Sequence, residues 1–429
     1  MQYPEYIPYK NKKKSRKGLN ILILISLVVL LSFGLYQIPR VKRLLSWRID
    51  LAQTYIHRLF NPVESLPAPM VSRSTAPVAA LPSATPPPAT STPTPLVSPT
   101  PTLVPTPIAE KTLLTPPAYD EAKDKQDWNN CGPATLALTL RYYGWEGDQY
   151  DISQIVKPTR DDRNVNVEEL VYYVRNYSGW LKAEFRVGGD IDLLKKLLAA
   201  GFPVMIEESF TTDRQYWPED DLWSGHYLLI TGYNDITRTF TAQDSEIGPN
   251  QSINYDILND RWQGFNRVYI IVYRAEQEDL LKNILGENWD VDKNREHALA
   301  ISQQETQDDP QNAFAWFNQG TNLTYFQRYS EAAQAYDTAR SIGLPQRMLR
   351  YQFGPFIAYF QVARTDDLVT LTKYALDISR TSEEAMLWRG WAFYQMGDKS
   401  TALNYFRDAL KIRDDYEDAL WAIDYVTAN

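Results

Sequence analysis

The chain has 429 residues, 44% of them hydrophobic, which leaves room for two or three domains and a sizeable core. Its formal net charge of -9, with no basic stripe beyond the N-terminus, argues against a nucleic-acid partner. A single cysteine excludes an intrachain disulfide framework, and with no metal cluster or phosphate-binding glycine loop in view, no cofactor is expected.

Residues 1–18 form a basic tail that carries the run Lys10 to Lys17, KNKKKSRK. Leu19 to Tyr36 is a near-continuous apolar stretch without a charge, so 19–37 is expected to be a transmembrane helix. A cleaved secretory signal would have a shorter apolar core with small residues after it; Gln37-Ile38-Pro39-Arg40 follows instead, which favours an uncleaved anchor. The heavier basic flank lies on the N-terminal side, which puts the N-terminus in the cytoplasm and the rest of the chain outside. Residues 38–60 are amphipathic, with Leu44, Leu45, Trp47, Leu51, Tyr55 and Leu59 among basic residues, suited either to a membrane surface or to packing on a second copy. Residues 61–117, rich in Pro, Thr, Ser and Ala, read as an extended disordered spacer, which at about 3 Å per residue reaches on the order of 150 Å.

The next stretch, 118–275, carries the chemistry. In QDWNNCGPA, from Gln126 to Ala134, Cys131 stands at the start of a helix whose body is Thr135 to Tyr143, with Gly144 as its C-cap. Gly132-Pro133 suits the helix start, where a proline gives up only an amide that has no partner. A thiol there faces free amides and the positive dipole end, which stabilise a thiolate. A lone cysteine is more often a small buried hydrophobe, but a second stretch points elsewhere. Gly225-His226-Tyr227-Leu228-Leu229-Ile230 opens a buried strand, Tyr233 to Thr237 is a turn, and Thr239 to Asp244 returns. Centred on Asp235, the hairpin sets His226 directly across from Asp244, on one face and within reach of an imidazole–carboxylate bond. A slip of one residue would send Asp244 to the other face.

Around these, Asn166 to Ser178 and Ile191 to Ala200 read as helices, and Pro203 to Glu208 and Val268 to Tyr273 as strands of an antiparallel sheet. Glu207 to Trp223 holds Glu207, Glu208, Asp213, Glu219, Asp220 and Asp221 among aromatic residues and leads into His226. It is read either as a cleft border that favours basic or extended peptides or as a solvated acidic loop.

Cysteine first, histidine later and a carboxylate soon after is the order of papain-like peptidases. QDWNNCGPA, GHYLLITGY and AQDS resemble the bacteriocin-processing, double-glycine leader class of papain-fold cysteine peptidases and its free-standing relatives. The resemblance covers roughly Tyr119 to Arg274 and implies an α+β papain-like domain. It also implies Cys131 as nucleophile, His226 as its base, Asp244 as the residue that orients the histidine, and Gln126 in the oxyanion hole. Gln126 lies five residues before Cys131, where such enzymes usually have six, so Asn129 or Asn130 is an alternative donor.

From residue 276 to 429 the pattern is helical only and repetitive. Gly286, Gly320 and Gly390 recur at intervals of 34 and 70, as do Ala298, Ala332 and Ala402. Tyr336 with Phe406 and Ala339 with Ala409 are also 70 apart. Small residues let paired helices approach while aromatics fill the seam. Trp316, Gly320, Ala332, Tyr336, Ala339 and Pro345 resemble the tetratricopeptide repeat, in three to four copies with a partial first unit and a degenerate one near Tyr351 to Ser382. Such arrays bind peptide segments.

The combined expectation is a membrane-anchored, extracytoplasmic cysteine peptidase acting on a peptide or protein substrate, with all-α repeats docking substrate or a protein partner. A catalytically inactive scaffold and an envelope amidase or transpeptidase are the alternatives.

Overall fold

The computed structural model describes residues 17–70, 108–157 and 165–428. Helix α1 (Lys17–Tyr36) is followed by α2 (Pro39–Phe60), whose first residue is the proline that suits that position. Among the described residues no helix is long and apolar enough to cross a membrane. Helix α1 covers most of the expected transmembrane segment 19–37, but the side chains of 19–23, 25 and 29 lie outside the described residues. With no span found among the described residues, the transmembrane helix is not supported.

The spacer expected over 61–117 is ordered at both ends, while 71–107 lie outside the described residues. Val63 and Leu66 are buried. At the other end β1 (Lys111–Leu113) pairs antiparallel with the far end of the histidine strand, Lys111 opposite Asn234. The catalytic-type domain thus begins before residue 118.

Its helical part comprises α3 (Glu121–Asp124), α4 (Cys131–Tyr142), α5 (Gln149–Val156) and α6 (Val167–Tyr177). Helix α6 is fixed by a capping box between Asn166 and Glu169 and stops at Ser178, within the expected limits. Then come β2 (Leu181–Arg186), α7 (Ile191–Ala199), β3 (Val204–Thr211), β4 (Trp223–Asn234), β5 (Thr239–Asp244), β6 (Gly248–Asn254), α8 (Tyr255–Gln263) and β7 (Tyr269–Arg274). The antiparallel sheet runs β2-β7-β3-β4-β5-β6, with β1 added beside β4. Leu136, Leu140, Leu170 and Val174 of α4 and α6 share one core with Leu229 and Ile270. Leu194 and Leu198 of α7 and Leu258 of α8 share the other with Ile206 and Leu228. Alternate residues of β3 and β4 therefore serve opposite cores, the period-two division expected of a sheet covered on both faces.

Beyond β7 the chain is helical: α9 (Glu278–Leu285), α10 (Val291–Asp308), α11 (Ala313–Tyr325), α12 (Tyr329–Ile342), the short α13 (Met348–Tyr351), α14 (Gly354–Gln361), α15 (Thr365–Ile378), α16 (Glu383–Gln395), α17 (Lys399–Ile412) and α18 (Glu417–Ala428). Pairs α11/α12, α14/α15 and α16/α17 are the repeats. A Cβ on Gly320 would meet the Tyr336 ring at 2.7 Å, and one on Gly390 would strike Phe406, so both glycines permit the close approach expected. Gly286 is different: it ends α9 with φ at +55°, and the interval of 34 is fortuitous there. Ala298 likewise faces not a repeat partner but Gly188 of the sheet domain.

Helix α10 is thus the junction. The Asn294 carboxamide accepts from Val187 N and donates to Val187 O, at 3.0 and 2.8 Å, in the way one strand pairs with another. Sheet domain and repeats form one compact unit, so the break at residues 275 and 276 is a change of secondary structure and not a seam.

Candidate active site

Cys131 is the first residue of α4. Asn129 adopts φ of 52° just before it, a left-handed turn that asparagine tolerates, and Pro133 sits in the first helical turn where amides lack partners. The loop from Lys123 to Asn130 is clamped by Gln149, which is fully buried. Its Oε1 accepts from Asp127 N and Asn130 Nδ2 at 2.8 and 2.7 Å. Its Nε2 donates to the carbonyls of Lys123 and Lys125 at 2.9 and 2.7 Å. Lys157 Nζ adds bonds to Trp128 O and Asn129 O. Gln149 lies in a polar stretch that offers no signal of this role.

His226 and Asp244 meet, but not in the register expected. Asp244 pairs across the sheet with Leu228, two residues from His226: beside the turn the ladder is centred later than expected, with Asn234 opposite Thr239, and the bulge between Ile230 and Gly232 takes one residue back, which returns Asp244 to the face of His226. A shift of two keeps both side chains on one face, and His226 Nε2 lies 2.9 Å from Asp244 Oδ1. The same oxygen accepts from Glu246 N and Ile247 N at 2.7 and 3.0 Å. Both side chains are buried.

The half-buried thiol of Cys131 lies within hydrogen-bonding reach of the imidazole. Burial pushes the thiol up, but the bond to His226, its charge, and the amides of Tyr227 and Gly132 outweigh that and hold it below its ordinary value. Burial pulls His226 down, yet its bonds to Asp244 and Cys131 and their charges raise it well above. Asp244 is held low, its burial being offset by His226 and the two backbone amides. An imidazolium between two anions is the consistent state.

Gln126 is brought to the same place. Its amide N donates to Ser245 O at 2.9 Å, and its Oε1 accepts from Ser245 Oγ at 2.8 Å. With the oxygen engaged, Nε2 is the end left to donate. Of the two alternatives, Asn130 gives its Nδ2 to Gln149, whereas Asn129 Nδ2 is buried with no hydrogen-bond partner.

The acidic stretch before His226 divides: Asp213, Glu219 and Asp221 are exposed, as a solvated loop would have them, while Glu207, Glu208 and Asp220 are buried. Glu207 and Glu208 lie inside β3, and Glu208 stands opposite His226. Burial pushes the Glu208 carboxyl up to about 7 despite the nearby charges of Arg261 and His226. Burial also raises Glu207 well above its ordinary value, with the Cys131 charge adding to the effect. Asp220 is buried on Arg347 of the repeat array at 2.5 Å. Arg347 also donates to Trp223 O at 2.8 Å, and Tyr351 OH lies 2.7 Å from Ser224 Oγ. Gly225 is required here, since a Cβ would meet Phe265 at 2.6 Å and Tyr351 at 3.2 Å. Repeat residues therefore hold the three residues that lead into His226.

Residues 116–276 match the model of the Peptidase_C39 like family. This part of the chain is similar to the C39-like peptidases. No curated protein is similar enough to count as a match. Among solved structures, a protein described as a C39-like peptidase from Bacillus anthracis is 16% identical, over 39% of this chain and 98% of its own, with a TM-score of 0.30. Xylellain, a cysteine protease from Xylella fastidiosa, is 15% identical over 39% and 87%, with a TM-score of 0.31. YrrB, a tetratricopeptide protein with an unusual peptide-binding site, is 17% identical over 35% and 72%, with a TM-score of 0.28. The papain-like domain and the tetratricopeptide-like helices expected from sequence are both present.

Proposed function

We propose that the chain is a cysteine peptidase in which Cys131, His226 and Asp244 act together. The observation that carries this reading is the 2.9 Å bond from His226 to Asp244, with the imidazole also in reach of a thiol at a helix start. The Cys131 thiolate attacks the peptide carbonyl carbon, and the oxyanion is held by the Cys131 amide and Gln126 Nε2. The imidazolium gives its proton to the departing amine, leaving an acyl-thioester. Neutral His226 then takes a proton from water, which attacks the thioester and releases the acid and the thiol. Asp244 keeps the ring oriented and favours its charged form.

The repeats dock the substrate or a protein partner. The apolar, charge-free stretch Leu19 to Tyr36 behind its basic tail serves as the anchor, and the catalytic unit works outside the cytoplasm. This location rests on sequence alone.

A peptide library incubated with the full chain and analysed by mass spectrometry tests the chemistry. Hydrolysed products that vanish in Cys131→Ala and His226→Ala are expected. Ligated products would point to a transpeptidase, and peptides left intact by wild-type and variants alike would point to a scaffold.

A further inference from the structure

Residues 63–70, VESLPAPM, lie along the repeats in a regular way. Val63 and Leu66 are buried and Pro67 and Pro69 are half-buried, while Glu64, Ser65, Ala68 and Met70 are exposed. Two buried residues three apart, followed by two half-buried prolines, fit a polyproline II strand laid on a surface, a conformation that Pro67 and Pro69 favour. At about 3.1 Å per residue, eight residues cover roughly 25 Å, enough to cross from one repeat to the next.

The groove side is built for the backbone. Arg340 of α12 donates from Nε to Pro67 O at 3.0 Å and from Nη2 to Ala68 O at 2.9 Å, gripping two successive carbonyls. Asp367 of α15 accepts from Met70 N at 3.2 Å, and Tyr374 OH donates to Glu64 O at 3.1 Å. The clamp is organised by its own contacts. Arg340 is buried, and its Nη1 bonds Asp367 Oδ1 and Tyr359 OH, both at 2.9 Å. Arg364 bonds Asp367 Oδ2 at 2.6 Å and also reaches Asp337. These polar contacts all go to the main chain of the segment. Its fully buried side chains are the apolar ones of Val63 and Leu66, so the site reads a conformation and a spacing, not one sequence.

We propose that the groove between α12 and α15 is a binding site for extended, proline-containing peptides, and that Val63–Met70 occupies it as a built-in ligand. An incoming segment with apolar residues at the first and fourth positions, followed by Pro-x-Pro, must displace the resident one. The chain holds a second such segment, Pro101 to Pro107 (PTLVPTP), so the class is one it already encodes. The proposal rests on the docking role of the repeats and is independent of the thiol chemistry.

The test is fluorescence anisotropy with a labelled peptide, NPVESLPAPMV, titrated with the full chain in mild detergent. A tethered copy competes at millimolar effective concentration. Wild-type chain is therefore expected to bind at least about tenfold more weakly than a Val63→Asp/Leu66→Asp variant, whose changes lie in the segment and not in the repeats. Adding Arg340→Lys, which keeps the charge beside Asp367 but loses the two-carbonyl fork, is expected to weaken that binding severalfold with the circular dichroism unchanged. Equal binding to wild-type and segment variant, no binding to either, or indifference to Arg340→Lys would overturn the proposal. Peptide turnover does not enter the readout, so loss of peptidase activity and loss of this site are told apart.

Discussion

Asp244→Asn removes one charge from the site and keeps a hydrogen-bond acceptor of the same shape. The carboxylate oxygen lies 2.9 Å from His226 Nε2, and both side chains are about 5% exposed or less. With charge centres roughly 4 Å apart and an effective dielectric of about 20, the attraction is about 4 kcal/mol, and its loss lowers the His226 titration. Glu246 N and Ile247 N already spend part of the carboxylate's charge, so the ring loses only part of that attraction. The thiolate–imidazolium pair exists between the Cys131 and His226 titrations, and lowering the upper limit narrows that interval while the thiol drifts up towards about 8.5. Cys131 is the only cysteine, so the rate of alkylation by iodoacetamide against pH reports it directly. Wild-type should reach its plateau below the ordinary thiol range, and Asp244→Asn only near or above it. Profiles that coincide within about 0.3 units would refute the coupling.

Two further outcomes follow from buried charges. Arg347→Met removes the ion-pair partner of Asp220, whose side chain is 0% exposed, and although the Leu222 amide stays on the carboxylate, it should cost about 3 kcal/mol in thermal or denaturant unfolding. Adding Asp220→Asn should recover part of it; a single-variant loss below about 1 kcal/mol would show the pair to be dispensable. Glu208 is neutral in both folded and unfolded chains below its ordinary value of 4.5, but between there and its folded value of about 7 the unfolded chain ionises first. Stability is therefore lost as pH rises through that window, by about 3 kcal/mol. Glu208→Gln should abolish the loss, so the variant gains on wild-type between pH 4.5 and 8. Parallel stability curves would contradict this.

The three side chains of the candidate site were readable because each sits in a local pattern: Cys131 ahead of an amphipathic helix, and His226 and Asp244 on two strands joined by a short turn. The exact pairing was not, since the turn is centred beyond Asp235, with Asn234 opposite Thr239, and the bulge between Ile230 and Gly232 that takes one residue back leaves no mark in composition or alternation. What escaped altogether depends on distant partners. Asp220 reads as one acid among many until Arg347, 127 residues on, is placed against it. Residues 63–70 have the composition of a free spacer, and only the groove formed by Arg340, Asp367 and Tyr374 orders them. Gly286 shows the opposite failure, a periodicity satisfied by numbering and not by packing.

The joint at Arg347 bears on how this protein could be cut, shuffled or inherited in pieces. The family likeness ends at residue 276, yet the strand that delivers His226 is held at its start by Arg347 and Tyr351. A graft ending at 276 would carry the histidine without its brace and would open the carboxylate of Asp220 to solvent. The smallest portable piece therefore runs past Tyr351.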